Sequence, residues 1–403
     1  MAVQRSADVE TCDVFVVGAG LAGLAAAIGF ARAGFSVVCG GPTGRLGGGR
    51  AVALLGGSVD FLAELGAWRA IEPIAAPMRA VRLLDDTRSL FPSRPLAFSS
   101  AEIGREAFGW NVENALVADA LAATASACPS LRRVEPAAER FDFSPKRADV
   151  GLVDGRRFAA RLIVGADGRA SPAREAAGID ADARLHPQSA LTAFLAHARP
   201  HDDVCQEFYT REGPFALAPL PAANGARWRS SLVWAMSRDE ASRRAALDDA
   251  SLAGEVERQA RSALGAMRIE GERGVFPMES RRARRLTATR FALVGDAAHV
   301  FSPIGAQGLN LGLRDVKTLV ETARDAATRG EDIGGRAALA RYARARLFDV
   351  ATRAGAVDAL DRSLTVRFAP LDAARALGFA ALGAIGPLRR LAMREGIAPT
   401  LGR

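Results

Sequence analysis

The chain has 403 residues, long enough for two domains or one large core, and its 49% hydrophobic and 24% charged content excludes a disordered chain. The net charge of +8 is almost wholly arginine, because Lys146 and Lys317 are the only lysines among 53 basic residues. Basic runs such as Arg281-Arg282-Ala283-Arg284-Arg285 lack interleaved aromatics, so nucleic acid is not an expected partner.

In chain order, the first residues, MAVQRSADVETCD, hold no apolar stretch of signal-peptide type. Asp13 to Val17 is a short apolar run of the kind that forms a buried parallel strand. Glycines follow, then a predicted helix from Leu21 to Arg32, a stop at Gly34 and a second strand from Phe35 to Cys39, which together make a β-α-β unit. Pro42 to Gly49 is a glycine-rich loop, Val59 to Trp68 a predicted helix, and Pro73 to Phe98 a proline-punctuated strand excursion. Asn114 to Ala127 has helical composition, and Phe158 to Val164 that of a strand. From Gln188 to Phe276 come short strand candidates, among them Leu191 to Ala196 and Ser231 to Trp234, interrupted by a helical stretch from Arg238 to Leu264. Phe291 to Val294 is another buried strand, and helical composition runs from Gly308 to about Leu364. No run of about 20 apolar residues is present to span a bilayer, and Ala376 to Leu388 is too short.

This alternation predicts an α/β fold: a Rossmann-like nucleotide domain split in sequence (11–75, 98–180 and 286–345), an inserted, mainly β substrate domain (76–97 and 181–285), and a C-terminal helical segment (346–403). Cys12, Cys39, Cys128 and Cys205 form no C-x-x-C pair and are expected as free thiols in a reducing cytosol. His186, His197, His201 and His299 are not spaced as metal ligands, so no metal is expected.

Three motifs carry the chemistry. The first is Gly18-Ala19-Gly20-Leu21-Ala22-Gly23, set between strand and helix. Its first glycine permits a tight turn, the second lets a pyrophosphate approach the backbone, and the third lets helix and strand pack closely. The acid that usually follows to bind a ribose is missing: Phe35 to Arg45 contain no Asp or Glu, and Gly40 and Gly41 fill the place. Arg45 leaves an NADP phosphate as an alternative, and restoring an acid at Gly41 is expected to tighten dinucleotide binding. The second motif, Asp167-Gly168-Arg169-Ala170-Ser171-Pro172-Ala173-Arg174, reads either as a ligand turn or as a helix start capped by Asp167 and Ser171. The third is Gly295-Asp296-Ala297-Ala298-His299, then Pro303-Ile304-Gly305-Ala306-Gln307-Gly308-Leu309-Asn310, with Asp315 beyond. A strand delivers Asp296 to a sheet edge, where a carboxylate can accept from a polyol, and the helix that follows offers its positive end to an anion. His299 is expected to pack or hydrogen-bond structurally.

In this order the three motifs resemble those of flavin monooxygenases of the p-hydroxybenzoate hydroxylase type, and most closely the ubiquinone-biosynthesis hydroxylases. Arg50-Ala51-Val52-Ala53-Leu54, Gly109-Trp110-Asn111-Val112-Glu113-Asn114 and Gly213-Pro214-Phe215-Ala216-Leu217-Ala218-Pro219-Leu220 add to the likeness. Gly41 and Ala115 depart from it, standing where the family has the ribose acid and an Arg. The resemblance implies FAD, with the ADP half at Gly18, Gly20, Leu21, Ala22 and Gly23, and the pyrophosphate near Asp167 and Gly168. It places ribitol and flavin at Gly295, Asp296, Gly305, Gln307, Gly308, Leu309 and Asn310, with Arg50 beside them. It also implies NAD(P)H as co-substrate and hydroxylation of a polyprenylated phenolic precursor of ubiquinone through a flavin hydroperoxide. The flavin then carries the chemistry and no catalytic side chain is singled out. Pro303, Phe215, Leu217 and Trp234 are the candidate substrate-lining residues, with simple β-core packing the favoured alternative for each except Pro303. The protein is expected in the cytoplasm, and a lipidic substrate implies peripheral contact with a membrane or a partner of ubiquinone biosynthesis, for which Ala374 to Met393 is the candidate segment; Phe379, Leu382 and Ile385 on its other faces favour instead a helix buried against the core or a second subunit. A flavin-linked polyprenyl reductase and a non-catalytic flavin-fold binding module are the alternatives; halogenation would need a Trp-x-Trp-x-Ile-Pro motif that is absent.

Overall fold

The computed structural model describes residues 9–42, 49–87, 95–301, 307–347 and 384–397. The strand Val9–Val17 lies at the centre of the first sheet. It pairs in parallel with Val37–Gly40 on one side and Arg157–Gly165 on the other. Leu131–Val134 and Phe291–Leu293 extend the parallel array outward. A parallel sheet must be covered on both faces. Alternation along Val9–Val17 supplies the two apolar sets. Val14 and Val16 pack with Leu24, Ile28, Leu121, Leu313 and Val316 of the helices Leu21–Arg32, Asn114–Ser126 and Gln307–Thr328. Phe15 and Val17 pack with Phe158, Ile163 and Phe291 on the side closed by the hairpin Ala138–Phe143/Ala148–Leu152. Cys12, Cys39 and Cys205 are free, buried thiols, and burial pushes Cys12 and Cys39 up to about 12.

The second sheet has eight strands, in the order His299–Val300, Met267–Ala283, Ala181–His197, Arg229–Ser237, Pro214–Leu220, Val204–Thr210, Ala80–Asp86 and Leu96–Ser99. The proline-punctuated excursion therefore supplies its far edge. The two longest strands, of 17 residues each, pair from Ala181–Ala283 to His197–Met267, with register shifts between Leu185 and Ser189 and between Thr192 and Phe194. A small sheet of Ala51–Leu55, Gly109–Glu113 and Ala76–Met78 lies between the two large ones. Arg229 of the second sheet pairs with its Glu113 at 2.9 Å, and the Asn111 amide donates to the Pro219 carbonyl (2.8 Å) and Ser231 Oγ (2.9 Å).

The fold is thus α/β with an inserted, mainly β unit. One expected element differs. Helical composition from Gly308 onward is not one continuous helix: Gln307–Thr328 ends before Gly330, which takes φ +69, and residues 336–347 form a separate helix. The break turns the second helix back so that Tyr342 and Arg346 reach under the third motif. Tyr342 Oη donates to the Leu293 carbonyl at 2.6 Å.

Asp315 is the hub of that region, with no exposed surface. Its Oδ1 accepts from Arg346 Nε at 2.7 Å, and its Oδ2 accepts the Gly295 N–H at 3.1 Å and lies 2.7 Å from His299 Nε2. Burial alone would raise this carboxyl; His299 and Arg346 instead hold it below its ordinary value. His299 is thus structural, as expected.

The place of the absent ribose acid also has a geometric account. Gly41 takes φ +137, and a Cβ there would stand 3.2 Å from Gly18 Cα; a Cβ on Gly40 would meet the Phe15 ring at 2.8 Å. Neither position accepts a side chain without strain. The expectation that an acid restored at Gly41 tightens binding is therefore corrected. Gly41→Glu should lower the melting temperature, at a strain cost of about 1–3 kcal/mol, and weaken dinucleotide binding in a titration of apoprotein. Asp315→Asn should destabilise by about 3–5 kcal/mol, because it removes the buried negative charge that Arg346 and His299 face. A depressed carboxyl stabilises above its unfolded pKa and loses that contribution as pH falls through the folded value. Melting curves should accordingly fall less steeply with acidification in Asp315→Asn than in the parent.

Candidate functional site

The first motif forms the turn between the central strand and its helix. Gly18 has φ +104 and its N–H donates to the Gly40 carbonyl at 2.7 Å. A Cβ on Gly23 would lie 1.9 Å from the Gly18 carbonyl oxygen, so helix and turn touch backbone to backbone. Gly20 differs: a Cβ there would meet nothing within 4 Å. It is the helix N-cap without a side-chain cap, and the first turn holds no acidic residue. The first-turn amides of Leu21, Ala22 and Gly23 thus sit in front of open space at the positive end of a helix, the arrangement that receives a pyrophosphate.

The third motif is brought against the first. Gly295 takes φ +61, a Cβ on it would lie 3.0 Å from Ala22 Cβ, and a Cβ on Gly312 would lie 3.0 Å from Gly295 Cα. This three-way contact puts Asp296 beside the start of the first helix. Asp296 is exposed, yet protein surrounds it closely enough that burial raises its carboxyl, against the pull of Arg169, His299 and Arg50. Its surface therefore opens into a cleft. Among the described residues its carboxylate accepts no hydrogen bond, which suits the hydroxyls of a polyol. Beside it Arg50 is half-buried, with its guanidinium 4.8 Å from the Phe276 ring centroid, so it links the nucleotide side to the second sheet. A Cβ on Gly308 would also meet nothing within 4 Å, leaving space at the start of the long helix. Together the uncapped amides, the open glycines and the partnerless carboxylate fit a flavin dinucleotide.

Two residues from the sequence reading have structural duties instead of open donors or acceptors. Asp167 accepts from Ser171 Oγ (2.5 Å) and the Ala173 N–H (2.9 Å), and Ser171 Oγ accepts the Arg174 N–H (3.0 Å). The capping reading of the second motif is thus realised, with Gly168 in its turn at φ +83. Asn310 is buried; its Oδ1 accepts the Leu55 N–H (2.9 Å) and its Nδ2 donates to the Ala53 carbonyl (2.7 Å), locking the long helix to the small sheet. Leu309 is half-buried beside it. Arg174, which closes the second motif in sequence but had no role assigned there, is buried and donates to the Ala297 carbonyl at 3.0 Å, tying the second motif to the third. Nothing marked Arg346 in a sequence so rich in arginine. Pro303 and Gly305 lie outside the described residues, as does Arg45, and the Gln307 side chain is not described.

Three candidate substrate-lining residues are corrected. Phe215, Leu217 and Trp234 are buried on the side of the second sheet that packs against Leu252 and Val256 of the helix Asp249–Gln259. Phe215 meets Trp234 edge-on, with centroids 5.1 Å apart. They belong to a core facing away from Arg50. The opposite face carries Thr192, Val233, Ala216 and Glu207 in one cross-strand row, and Ala190 with Ala235 in the next. Ala190 also pairs with Phe276, the residue beneath Arg50, so this is the face on which Arg50 lies.

The FAD binding domain family matches residues 11–353. The ubiquinone hydroxylase UbiL of Rhodospirillum rubrum is 35% identical over 98% of this chain and 91% of its own length. The 3-demethoxyubiquinol 3-hydroxylase of Escherichia coli is 30% identical over 96% and 98%. Among solved structures, Klebsiella pneumoniae HpxO in complex with FAD superposes with a TM-score of 0.74 at 20% identity, covering 96% of this chain and 99% of that one. The chain belongs to the FAD-dependent aromatic-ring monooxygenases of the p-hydroxybenzoate hydroxylase type, on the branch of the ubiquinone-biosynthesis hydroxylases.

Proposed function

We propose that the protein hydroxylates the aromatic ring of a polyprenylated phenolic precursor of ubiquinone, using FAD, NAD(P)H and molecular oxygen. The observation that carries this reading is the exposed Asp296 carboxylate, which accepts no hydrogen bond among the described residues and stands beside the start of the first helix. Full-length similarity to two ubiquinone hydroxylases supports the substrate class. Bound FAD, once reduced, supplies the activation of oxygen. The amides of Leu21 to Gly23 would hold the pyrophosphate, Asp296 the ribitol hydroxyls, and the start of the helix Gln307–Thr328 the negative charge of the reduced ring. Arg50 would screen that charge from the second sheet. The small side chains of Ala190, Thr192, Ala216, Val233 and Ala235 leave room for a flat substrate on the facing sheet.

A polyprenyl tail must be collected from a membrane surface or a lipid-carrying partner. No described helix is long and apolar enough to cross a membrane. The helix Gly386–Ile397 supports surface contact instead: Ile385, Leu388 and Leu391 are exposed, with Arg390 and Arg394 exposed nearby. Arg389 turns inward to Glu102 at 2.6 Å, and Met393 packs on Phe108, so the helix is anchored while its apolar side stays open. Residues 374–383 of the candidate segment lie outside the described residues.

Replacing Asp296 by Ala should weaken FAD binding roughly tenfold to a hundredfold, as expected for loss of a charged hydrogen-bonding partner of about 1.5–3 kcal/mol. Full flavin absorbance in that purified variant would remove Asp296 from the site. The parent protein should consume oxygen with NADPH in the presence of a prenylated phenol; reduction of a prenyl double bond without oxygen uptake would favour the reductase. The double substitution Leu388→Glu, Leu391→Glu should abolish sedimentation with anionic liposomes while leaving bound flavin unchanged.

A further inference from the structure

Glu207 is one of three acidic residues of the second sheet, with Asp85 and Glu272, that pair with no cation among the described residues. It lies on the strand Val204–Thr210, paired with Ala216 on one side and Leu83 on the other, and so faces the cleft in the row of Thr192, Val233 and Ala216. The sheet is rich in Arg–carboxylate pairs, yet Glu207 belongs to none among the described residues. Its one hydrogen bond is from Tyr209 Oη to Oε2, at 3.3 Å. Among the described residues Oε1 accepts no hydrogen bond. Like Asp296, Glu207 keeps part of its surface although protein surrounds it, as a group on a concave surface does.

An isolated carboxylate so placed is costly and needs a reason. The groups facing it are Tyr209 and Cys205 on its own strand and, on the adjacent strand Ala80–Asp86, Leu83 and Asp85. None is a cation. Burial raises the Glu207 carboxyl, with Tyr209 opposing, which makes its carboxylate a stronger base than one in water.

We propose that Glu207 is the base that takes the phenolic proton of the aromatic substrate, with Tyr209 positioning its carboxylate. This rests on the functional reading above. The substrate O–H bond breaks, the proton passes to Glu207 Oε1, and the electron pair stays on the phenolate oxygen, where it enriches the ring for attack on electrophilic oxygen. The proton returns when the hydroxylated phenol forms. The pair carries one negative charge before and after the transfer, so burial does not oppose the step as it would oppose separating new charges. The reach is adequate: from Phe276, beneath Arg50, to Glu207 is four strand steps of ~4.8 Å, about 19 Å, enough for two flat ring systems side by side.

The test uses the FAD-loaded protein and 4-nitrophenol, whose ionisation is visible in the oxidised enzyme without turnover. In the parent, ionised Glu207 should hold the probe in its neutral form to higher pH. Glu207→Gln should move the appearance of bound phenolate to lower pH by about one unit or more. The same variant should hydroxylate a prenylated phenol roughly 10²–10⁴-fold more slowly with flavin content unchanged, and Glu207→Asp should recover part of that rate. An unmoved probe ionisation overturns the proposal, whatever the rate, because the carboxylate then does not face the ring. Should the Glu207→Gln variant fail to fold, Glu207→Asp alone decides, by keeping the parent ionisation while lowering the rate. A parent enzyme inactive on every phenol would count against the substrate reading instead, while the probe ionisation would still report on Glu207.

Discussion

A single buried carboxylate organises the site. Asp315 has no contact with solvent and would not stay ionised there without compensation. Its partners come from three places in the chain: the Gly295 amide at the end of a parallel strand, His299 four residues on, and Arg346 from the helix that follows the break at Gly330. Satisfying this one charge fixes where the strand ends and the third motif begins. It also fixes the direction in which Asp296 leaves the sheet. The glycine contacts at Ala22, Gly295 and Gly312 then set how closely the third motif approaches the first. The cleft follows from these two constraints.

Much of the nucleotide side was legible in the sequence, because short apolar runs followed by glycine and an alanine-rich stretch can be little else than a parallel strand, a turn and a buried helix. The second sheet was legible as a sheet but not in its orientation. Alternation divides Phe215, Leu217 and Trp234 from Ala216, Ala218 and Val233; it does not say which set faces the cofactor. That was decided by where the helix Asp249–Gln259 packs, and large aromatics went to the side with a helix to bury them. Short side chains, which draw no attention in a sequence, were left to the cleft. Glu207 went unnoticed for a related reason: its meaning lies in having no cationic partner among the described residues, which only the folded sheet reveals. The duty of Arg174 and the place of Arg346 were hidden because arginine is the ordinary basic residue of this chain.

Loss of the ribose acid shows how a backbone choice constrains chemistry. With Gly41 at positive φ against Gly18, and Phe15 filling the space over Gly40, the end of the second strand hugs the phosphate turn too closely to carry a side chain. In the proposed reading, affinity for the dinucleotide is gathered elsewhere: at the uncapped first turn of the helix Leu21–Arg32 and at Asp296.

The two 17-residue strands Ala181–His197 and Met267–Ala283 leave the vicinity of the second motif and the third and run together into the second sheet. A paired ribbon of that length resists shear and in-plane bending far more than a pair of loops would. The two halves of the molecule are therefore coupled like a cantilever rather than a hinge. Its compliance is concentrated at the two register shifts, around residues 185–189 and 192–194, where ladder hydrogen bonds are interrupted. Bending of the ribbon is therefore expected at these two places first.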